Sequence, residues 1–337
     1  MAKDHFVIPV FVPHNGCPFQ CIFCNQNQIT GQADNPDPAA VDAQISTYLD
    51  TIGDRGRQVL VGFYGGSFTG IEQKKQAEYL SVVLPYMNTG KVQGVRISTR
   101  PDFIDDDVLD FLRLNGVTQI ELGIQSFDDA VLLSAQRGYT SLLAQNASVL
   151  IRKRGFLLGH QFMIGLPGDS WDSLKRTVDI SLKLQPDMIR IYPAVVVKDT
   201  PMERMSAYAP LTLDEAIRRT AYMLDRFLPH HITVLRVGLH PPQDNSSIVR
   251  GPYHPSFRHL VNVERWKIRI RSMLKCIGPQ SIKEIYVNTA QACCIYEQKE
   301  CDKAQIYPVE WIDPNNVRLV TSENQKILLS LNMRISN

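Results

Sequence analysis

From residue 6 to about 240, short β-rich apolar runs alternate with longer stretches in which apolar residues recur every three or four positions. The runs read FVIPVFV, QVLVGFYGG, GVRISTR, TQIELGIQ, LLGHQFMIG and MIRIYPAVVV. The helical stretches include 37–51, 71–87, 104–115, 141–154 and 171–184. Six βα units fit this rhythm. The runs read as apolar on both faces, as strands of a parallel sheet covered by helices are, and the intervening segments are long enough for crossovers. The expected fold class is therefore α/β.

Helix signals support the phasing. Acidic and amide residues cluster at 34–36 ahead of the first helix, Asp105, Asp106 and Asp107 suit the positive end of the third, and Gly116 and Gly155 stand where helices should stop. After LRVGLHPPQDNSS the rhythm breaks at prolines 241, 242, 252 and 255. Beyond it come a helix near 256–275, a strand at KEIYVN, and β-like runs VEWI, VRLVT and KILLSL. The expected division is a core over 1–240 and a small α+β extension over 241–337. In parallel α/β folds the binding groups gather at the C-terminal ends of the strands, so those ends are the places to look for chemistry.

Composition adds only limits. A hydrophobic fraction of 44%, a charged fraction of 21% and a net charge of +2 are ordinary soluble values, so a nucleic-acid or membrane partner would have to be met by a local patch. The N-terminal apolar run is broken by two prolines and lacks a small-residue cleavage site, which reads as a first strand and not a secretory signal. No apolar run approaches the roughly 18–20 residues that span a bilayer. A cytoplasmic protein without a membrane partner is the expectation. In that reducing compartment closely spaced cysteines are metal ligands or catalytic thiols more often than disulfides.

Three of the seven cysteines, Cys17, Cys21 and Cys24, fall within PHNGCPFQCIFCNQNQITG, directly after the first strand. Thiolates hold iron and zinc well, and a tight loop can bring three of them to one site. Buried small side chains, a zinc site completed by His14 or a distant cysteine, and an iron-sulfur cluster with one exchangeable ligand are the open readings. A structural metal normally takes four protein ligands, and no fourth cysteine appears before Cys276. The pattern C-x3-C-x-aromatic-C, with Phe23 before the last cysteine, resembles the signature of the radical S-adenosylmethionine superfamily. That resemblance implies a partial (β/α)6 barrel. It also implies a 4Fe-4S cluster on the three cysteines, a fourth iron chelated by S-adenosylmethionine, and Phe23 packed near the adenine.

Other strand ends extend the resemblance. FYGGSFTG places Gly65 and Gly66 where backbone can approach a ligand closely. The pair resembles the superfamily's GGE-type segment for the amino group of S-adenosylmethionine, with Ser67 where Glu or Thr is often found. RISTRPD, IELGIQSF, QRGYT and GHQFMIGLPGD follow in order. Together they are similar to the subgroup containing oxygen-independent coproporphyrinogen oxidase and, more closely, the radical domain of the elongator complex catalytic subunit, over about residues 8–240. By position this implies cofactor contacts at Gln125 and Arg137, an amide suited to ribose or adenine and a guanidinium suited to the methionyl carboxylate. Gln161 stands where relatives often place aspartate. Ser98 stands where they usually place glutamate, so ribose recognition differs there. Glu121 reads as structural, paired to a neighbouring lysine or arginine.

The resemblance implies an electron donor such as flavodoxin or ferredoxin, and it makes transfer RNA, at a wobble uridine, the expected substrate. A tetrapyrrole or small metabolite under the same chemistry is the alternative, as is a non-catalytic iron-sulfur or zinc protein. The residues after 240 offer neither the length nor the glycine-rich loop of an acetyltransferase domain, so the full elongator reaction is not expected of this chain alone. The helix over 256–275 carries six Lys or Arg against one Glu, with Trp266 among them, and reads either as a phosphate-tracking face or as an ordinary solvated one. Cys276, Cys293, Cys294 and Cys301 match no ligand pattern. His240, His254 and His259 read as loop histidines near the mouth. The residues supply no basis for a catalytic acid, base or radical relay.

Overall fold

The computed structural model describes residues 5–12, 21–25, 35–53, 58–240, 247–277, 282–288, 305–309, 316–321 and 326–330. Cys17, His14, Cys293, Cys294 and Cys301 lie outside the described residues, as does the side chain of Cys276. Two units share the chain: residues 1–212 with 234–253, and residues 213–233 with 254–337.

In the first unit the apolar runs become β1 (His5–Val12), β2 (Gln58–Gly65), β3 (Gly94–Thr99), β4 (Val117–Gln125), β5 (Leu157–Ile164) and β6 (Met188–Pro193). Each pairs in parallel with its successor. A strand numbered β8 (Thr233–Val237) extends the sheet beside β6, so this half-barrel has seven strands in chain order where the sequence suggested six. β7 (Val196–Val197) and β9 (Ile248–Arg250) form a separate two-stranded ribbon.

The crossovers start where their capping residues dictate. Helix α1 (Pro38–Ile52) begins at Asp37, whose carboxylate accepts from the Ala40 amide at 2.7 Å, with Pro38 in the first turn. Helix α2 spans Gln73–Asn88. Helix α3 (Asp106–Leu114) is capped by Asp105, which accepts from Val108, and carries Asp106 and Asp107 in its first turn. After the short α4 (Asp129–Ser134), Thr140 caps α5 (Ser141–Lys153), and a reciprocal Ser170–Ser173 box opens α6 (Trp171–Leu184). Gly116 and Gly155 end α3 and α5 with φ of 80° and 77°, a backbone that glycine adopts without penalty.

The two faces of the sheet differ in chemistry, contrary to the expectation that both are apolar. Val95, Ile97, Ile120, Leu122, Ile124, Leu158, Phe162, Ile189 and Ile191 are buried on one face. Burial contributes about 1.5–3 kcal/mol for each large aliphatic or aromatic side chain among them. The alternate positions carry Tyr64, Arg96, Ser98, Gln119, Glu121, Gln125, Gln161, Arg190 and Tyr192. Registers Arg96↔Gln119, Ser98↔Glu121 and Gln161↔Arg190 place these side by side across strands. Apolar residues dominate the runs by number, but a period of two sorts the polar ones onto the inner face.

His160 belongs to the helix-covered face and is fully buried. Its ring contacts Ser148 Oγ of α5 at 3.1 Å through Nε2 and Ser181 Oγ of α6 at 2.8 Å through Nδ1. Burial, reinforced by the charge of Arg152, pushes its pKa down to about 3. The unfolded chain binds a proton near pH 6.5 that the folded chain refuses. The associated stability is therefore fully present above that value and is lost as pH falls toward 3. Urea unfolding is expected to weaken by up to about 1.4 kcal/mol per pH unit in this window from this group. The difference from His160→Gln should narrow over the same range; a pH-independent difference would contradict the assignment.

In the second unit, α7 (Leu213–Phe227) and α8 (Phe257–Ile277) meet through Asp225, whose Oδ1 accepts from Arg265 at 2.9 Å and Arg269 at 3.2 Å. Two of the basic residues of α8 thus turn inward, leaving Arg258 and Arg271 exposed. A four-stranded sheet has the order β11 (Gln305–Val309), β10 (Ile282–Asn288), β12 (Asn316–Thr321), β13 (Lys326–Ser330), with Ile285, Val287, Val317 and Leu319 buried. Of the run VEWI, expected to be β-like, only Val309 falls within the described residues. The described strand is QIYPV, whose Pro308 is tolerated because β11 lies at the edge.

Candidate active site

The described part of the cysteine loop is fixed through Ile22. Its amide donates to Ala135 O, just after α4, at 3.3 Å, its carbonyl accepts from Met202 at 2.9 Å, and its side chain is buried among Val196, Met202 and Tyr208. The Cys24 amide closes a turn onto Cys21 O at 3.0 Å, and Asn25 Nδ2 donates to Lys198 O at 3.0 Å. Phe23 packs on Val131, Ala135, Leu166 and Ala194, and the Arg137 guanidinium lies 5.9 Å from its ring centre. Cys21 and Ile22 are buried, and Phe23 and Cys24 are half-buried.

Two arginines converge on the Cys21 sulfur. Arg137 Nη1 donates to Sγ at 3.0 Å and Arg100 Nη1 at 3.6 Å, and both side chains are buried. Arg137 also donates from Nε to Tyr139 Oη at 3.0 Å and from Nη2 to Gly123 O at 2.8 Å. Arg100 grips Asp102 in a two-point pair at 2.9 Å and bonds the Arg137 carbonyl. The Tyr139 ring lies 5.3 Å from the Arg100 guanidinium and 5.0 Å from that of Arg137. Burial by itself would lower the Arg137 pKa, but Tyr139 and Cys21 more than offset it and hold the pKa above the ordinary arginine value.

The remaining strand-end residues have defined places. Gly65 has φ of 114°, and a Cβ there would stand 2.8 Å from Val12 O; the Gly66 amide donates to the same carbonyl at 3.0 Å. The glycine pair therefore lies against the end of β1, where the cysteine loop departs. Ser67 is buried, and its carbonyl accepts from Gly70 at 2.9 Å. Ser98 is half-buried beside Glu121 in register. Gln125 adopts φ of 64°, and its Oε1 accepts from Gln161 Nε2 at 3.5 Å, so β4 and β5 bring these two amides together. His254 Nδ1 accepts from the Ser256 amide at 3.1 Å in a local turn, and His259 and His240 are exposed.

Below these residues Glu121 forms the expected ion pair. Arg190 Nε and Nη2 donate to its two carboxylate oxygens at 2.5 and 2.9 Å, and Nη1 donates to Tyr192 Oη at 3.0 Å. Tyr64 and Tyr192 flank the guanidinium at 5.4 and 5.8 Å. Gly159 makes room, since a Cβ there would stand 3.0 Å from Met188 and 3.2 Å from Glu121. Arg100, Tyr139, Arg190, Tyr64 and Arg96 were not singled out from sequence as site residues. The strand alternation R-I-S, Q-I-E-L-G-I-Q and R-I-Y carried the signal for the inward ones.

A buried cysteine sulfur faces two guanidiniums on a loop that follows the first strand of a parallel α/β half-barrel with a polar inner wall, a setting that favours a thiolate. The chain belongs to the radical SAM superfamily, whose profile matches residues 11–180; that of the radical SAM C-terminal domain matches 186–267. The superfamily's cofactors, a 4Fe-4S cluster and S-adenosylmethionine, are those of this chain. The chemistry around Cys21 is compatible with them, because N–H groups fixed beside its sulfur favour a thiolate, the form that binds iron.

An uncharacterized protein of Methanocaldococcus jannaschii is 28% identical over 229 residues, covering 66% of this chain and 67% of that protein. A tRNA uridine(34) acetyltransferase of Methanocaldococcus infernus is 23% identical, covering 83% of this chain and 59% of that protein. One of Dehalococcoides mccartyi is 27% identical, covering 56% and 48%. This chain thus spans about half the length of those acetyltransferases. The archaeal Elp3 structure from Methanocaldococcus infernus, with an N-terminal deletion, shares the fold with a TM-score of 0.63 at 20% identity, covering 95% of this chain and 74% of that one. Among the described residues no helix is long and apolar enough to cross a membrane.

Proposed function

We propose that this enzyme performs the radical half of a transfer-RNA modification at a wobble uridine. Cys17, Cys21 and Cys24 hold the cluster, and residues 1–240 act as the catalytic core with 241–337 as an extension. When bound and reduced, the cluster supplies one electron that breaks a carbon–sulfur bond of S-adenosylmethionine, giving methionine and a 5'-deoxyadenosyl radical. Gly65, Gly66 and Ser67 receive the methionyl end, Phe23 the adenine, and Ser98, Gln125 and Gln161 the ribose side. A flavodoxin or ferredoxin in the cytoplasm is the proposed electron donor.

The observation that carries the chemistry is the buried Cys21 sulfur between two guanidiniums, beside a glycine pair pressed against the end of β1. The RNA substrate is supported by the acetyltransferase relatives, and their greater length leaves the rest of that reaction to other residues or another chain.

The test is anaerobic. Protein reconstituted with iron and sulfide is reduced with dithionite, given S-adenosylmethionine, and 5'-deoxyadenosine is followed with and without bulk transfer RNA. Formation that RNA stimulates is the expected result. Formation indifferent to RNA would move the substrate to a tetrapyrrole or small metabolite, and no formation despite an intact cluster would make this an iron-sulfur carrier.

A further inference from the structure

We propose that Arg100 and Arg137 are positioning residues that act through the Cys21 sulfur and set the potential at which the metal centre takes up its electron. The proposal rests on Cys21 being a cluster ligand. It gives Arg137 a different task from the carboxylate contact implied by resemblance, and it gives Arg100 a task for the first time.

Geometry aims both side chains. Two of the three nitrogens of Arg137 are committed, Nε to Tyr139 Oη and Nη2 to Gly123 O, and this fork leaves Nη1 directed at Sγ. Tyr139 Oη in turn donates to Gly123 O at 2.6 Å, so the clamp on Arg137 is closed on itself. Arg100 arrives from the end of β3, 79 residues from Cys21, and Arg137 from the turn after α4, 116 residues away. Asp102 holds Arg100 at two points, and the bond from Arg100 to the Arg137 carbonyl couples the two. Neither guanidinium can swing toward another partner without leaving buried donors and acceptors unpaired.

The electronic consequence follows from charge. Uptake of one electron from a low-potential donor protein adds one negative charge at the metal centre, part of it on the ligand sulfurs, and no bond forms or breaks in that step. Fixed N–H donors and positive charge at one of those sulfurs favour the reduced state, so hydrogen bonds to cluster sulfurs raise the potential.

The experiment is an anaerobic redox titration of reconstituted protein read by electron paramagnetic resonance, with iron and sulfide content and melting temperature measured alongside. For Arg137→Gln, with wild-type iron content, the reduced-to-oxidised ratio at a fixed poise is expected to fall about tenfold, equivalent to about 59 mV for a one-electron couple. Arg100→Gln should shift in the same direction by less, in keeping with its longer contact. Arg137→Lys, which keeps charge but not the fork, should fall between wild type and Arg137→Gln. If Arg137→Gln does not retain iron, Arg100→Gln and Arg137→Lys decide. Unchanged potentials in the iron-loaded variants overturn this proposal alone, whereas failure of the wild type to take up iron overturns the cysteine assignment and this proposal with it.

Discussion

Cys21→Ala is expected to lose iron binding and 5'-deoxyadenosine formation entirely, while the half-barrel remains folded. In the proposed site the Cys21 thiolate is an iron donor, and alanine offers none. The substitution has a second cost that needs no metal. Arg137 Nη1 and Arg100 Nη1 lose the acceptor they share in a buried site, and a buried donor left unsatisfied costs about 1–3 kcal/mol. The apo-protein should therefore melt below wild type. Cys21→Ser separates the two effects, because its hydroxyl can still accept from Arg137 but does not replace the thiolate toward iron. Recovered melting temperature with absent iron is the expected pattern. Wild-type iron content and full activity in Cys21→Ala would remove this cysteine from the metal centre.

The same contact shows where the sequence is legible and where it stops. Cys17, Cys21 and Cys24 stand out because their spacing is local and their residue type is chemically narrow. The convergence of Arg100 and Arg137 on one of them is not local. It depends on neighbouring strand ends meeting in space, and nothing in the run TRPD or QRG says which atom a guanidinium will face. The glycine pair is intermediate: Gly65 and Gly66 advertise close approach, but that the first partner is the Val12 carbonyl emerges only from the β1–β2 register.

For the fold, strands rich in branched residues and helices with acidic or hydroxyl caps were read with boundaries close to those observed, as at Asp105 for α3 and at α6. β8 escaped because it is a five-residue run, TVLRV, interrupted by Arg236 and followed within five residues by two prolines. The polar inner face escaped for a different reason. In IELGIQ the apolar residues outnumber the polar ones, so average hydropathy signals burial, whereas the period of two places Glu121 and Gln125 together on the face opposite Leu122 and Ile124. Counting polar positions by parity would have found Arg96, Glu121, Gln161 and Arg190 as one wall.

That wall supports the second large prediction. Glu121→Ala is expected to destabilise the protein by about 3–5 kcal/mol, because it leaves the Arg190 charge buried without its partner. The side chains are only 2% and 12% exposed, so water cannot substitute for the lost carboxylate, and the flanking Tyr64 and Tyr192 rings cannot carry the full charge. Glu121→Met combined with Arg190→Leu removes both charges, and it should regain much of the loss because an apolar pair of similar volume avoids the desolvation cost that ions must overcome. Denaturant melts of the two single variants and the double variant give the coupling directly. A coupling near zero would mean that the two ions are effectively hydrated and that the inner wall is open to water. A large one, with the double variant folded but unable to form 5'-deoxyadenosine, would show that the pair is kept for the shape and polarity of the reaction chamber and not for stability. Its register neighbours Ser98 and Gln161 are the physical reason to expect that outcome, since repacking around an apolar pair displaces the strand ends proposed to hold the ribose.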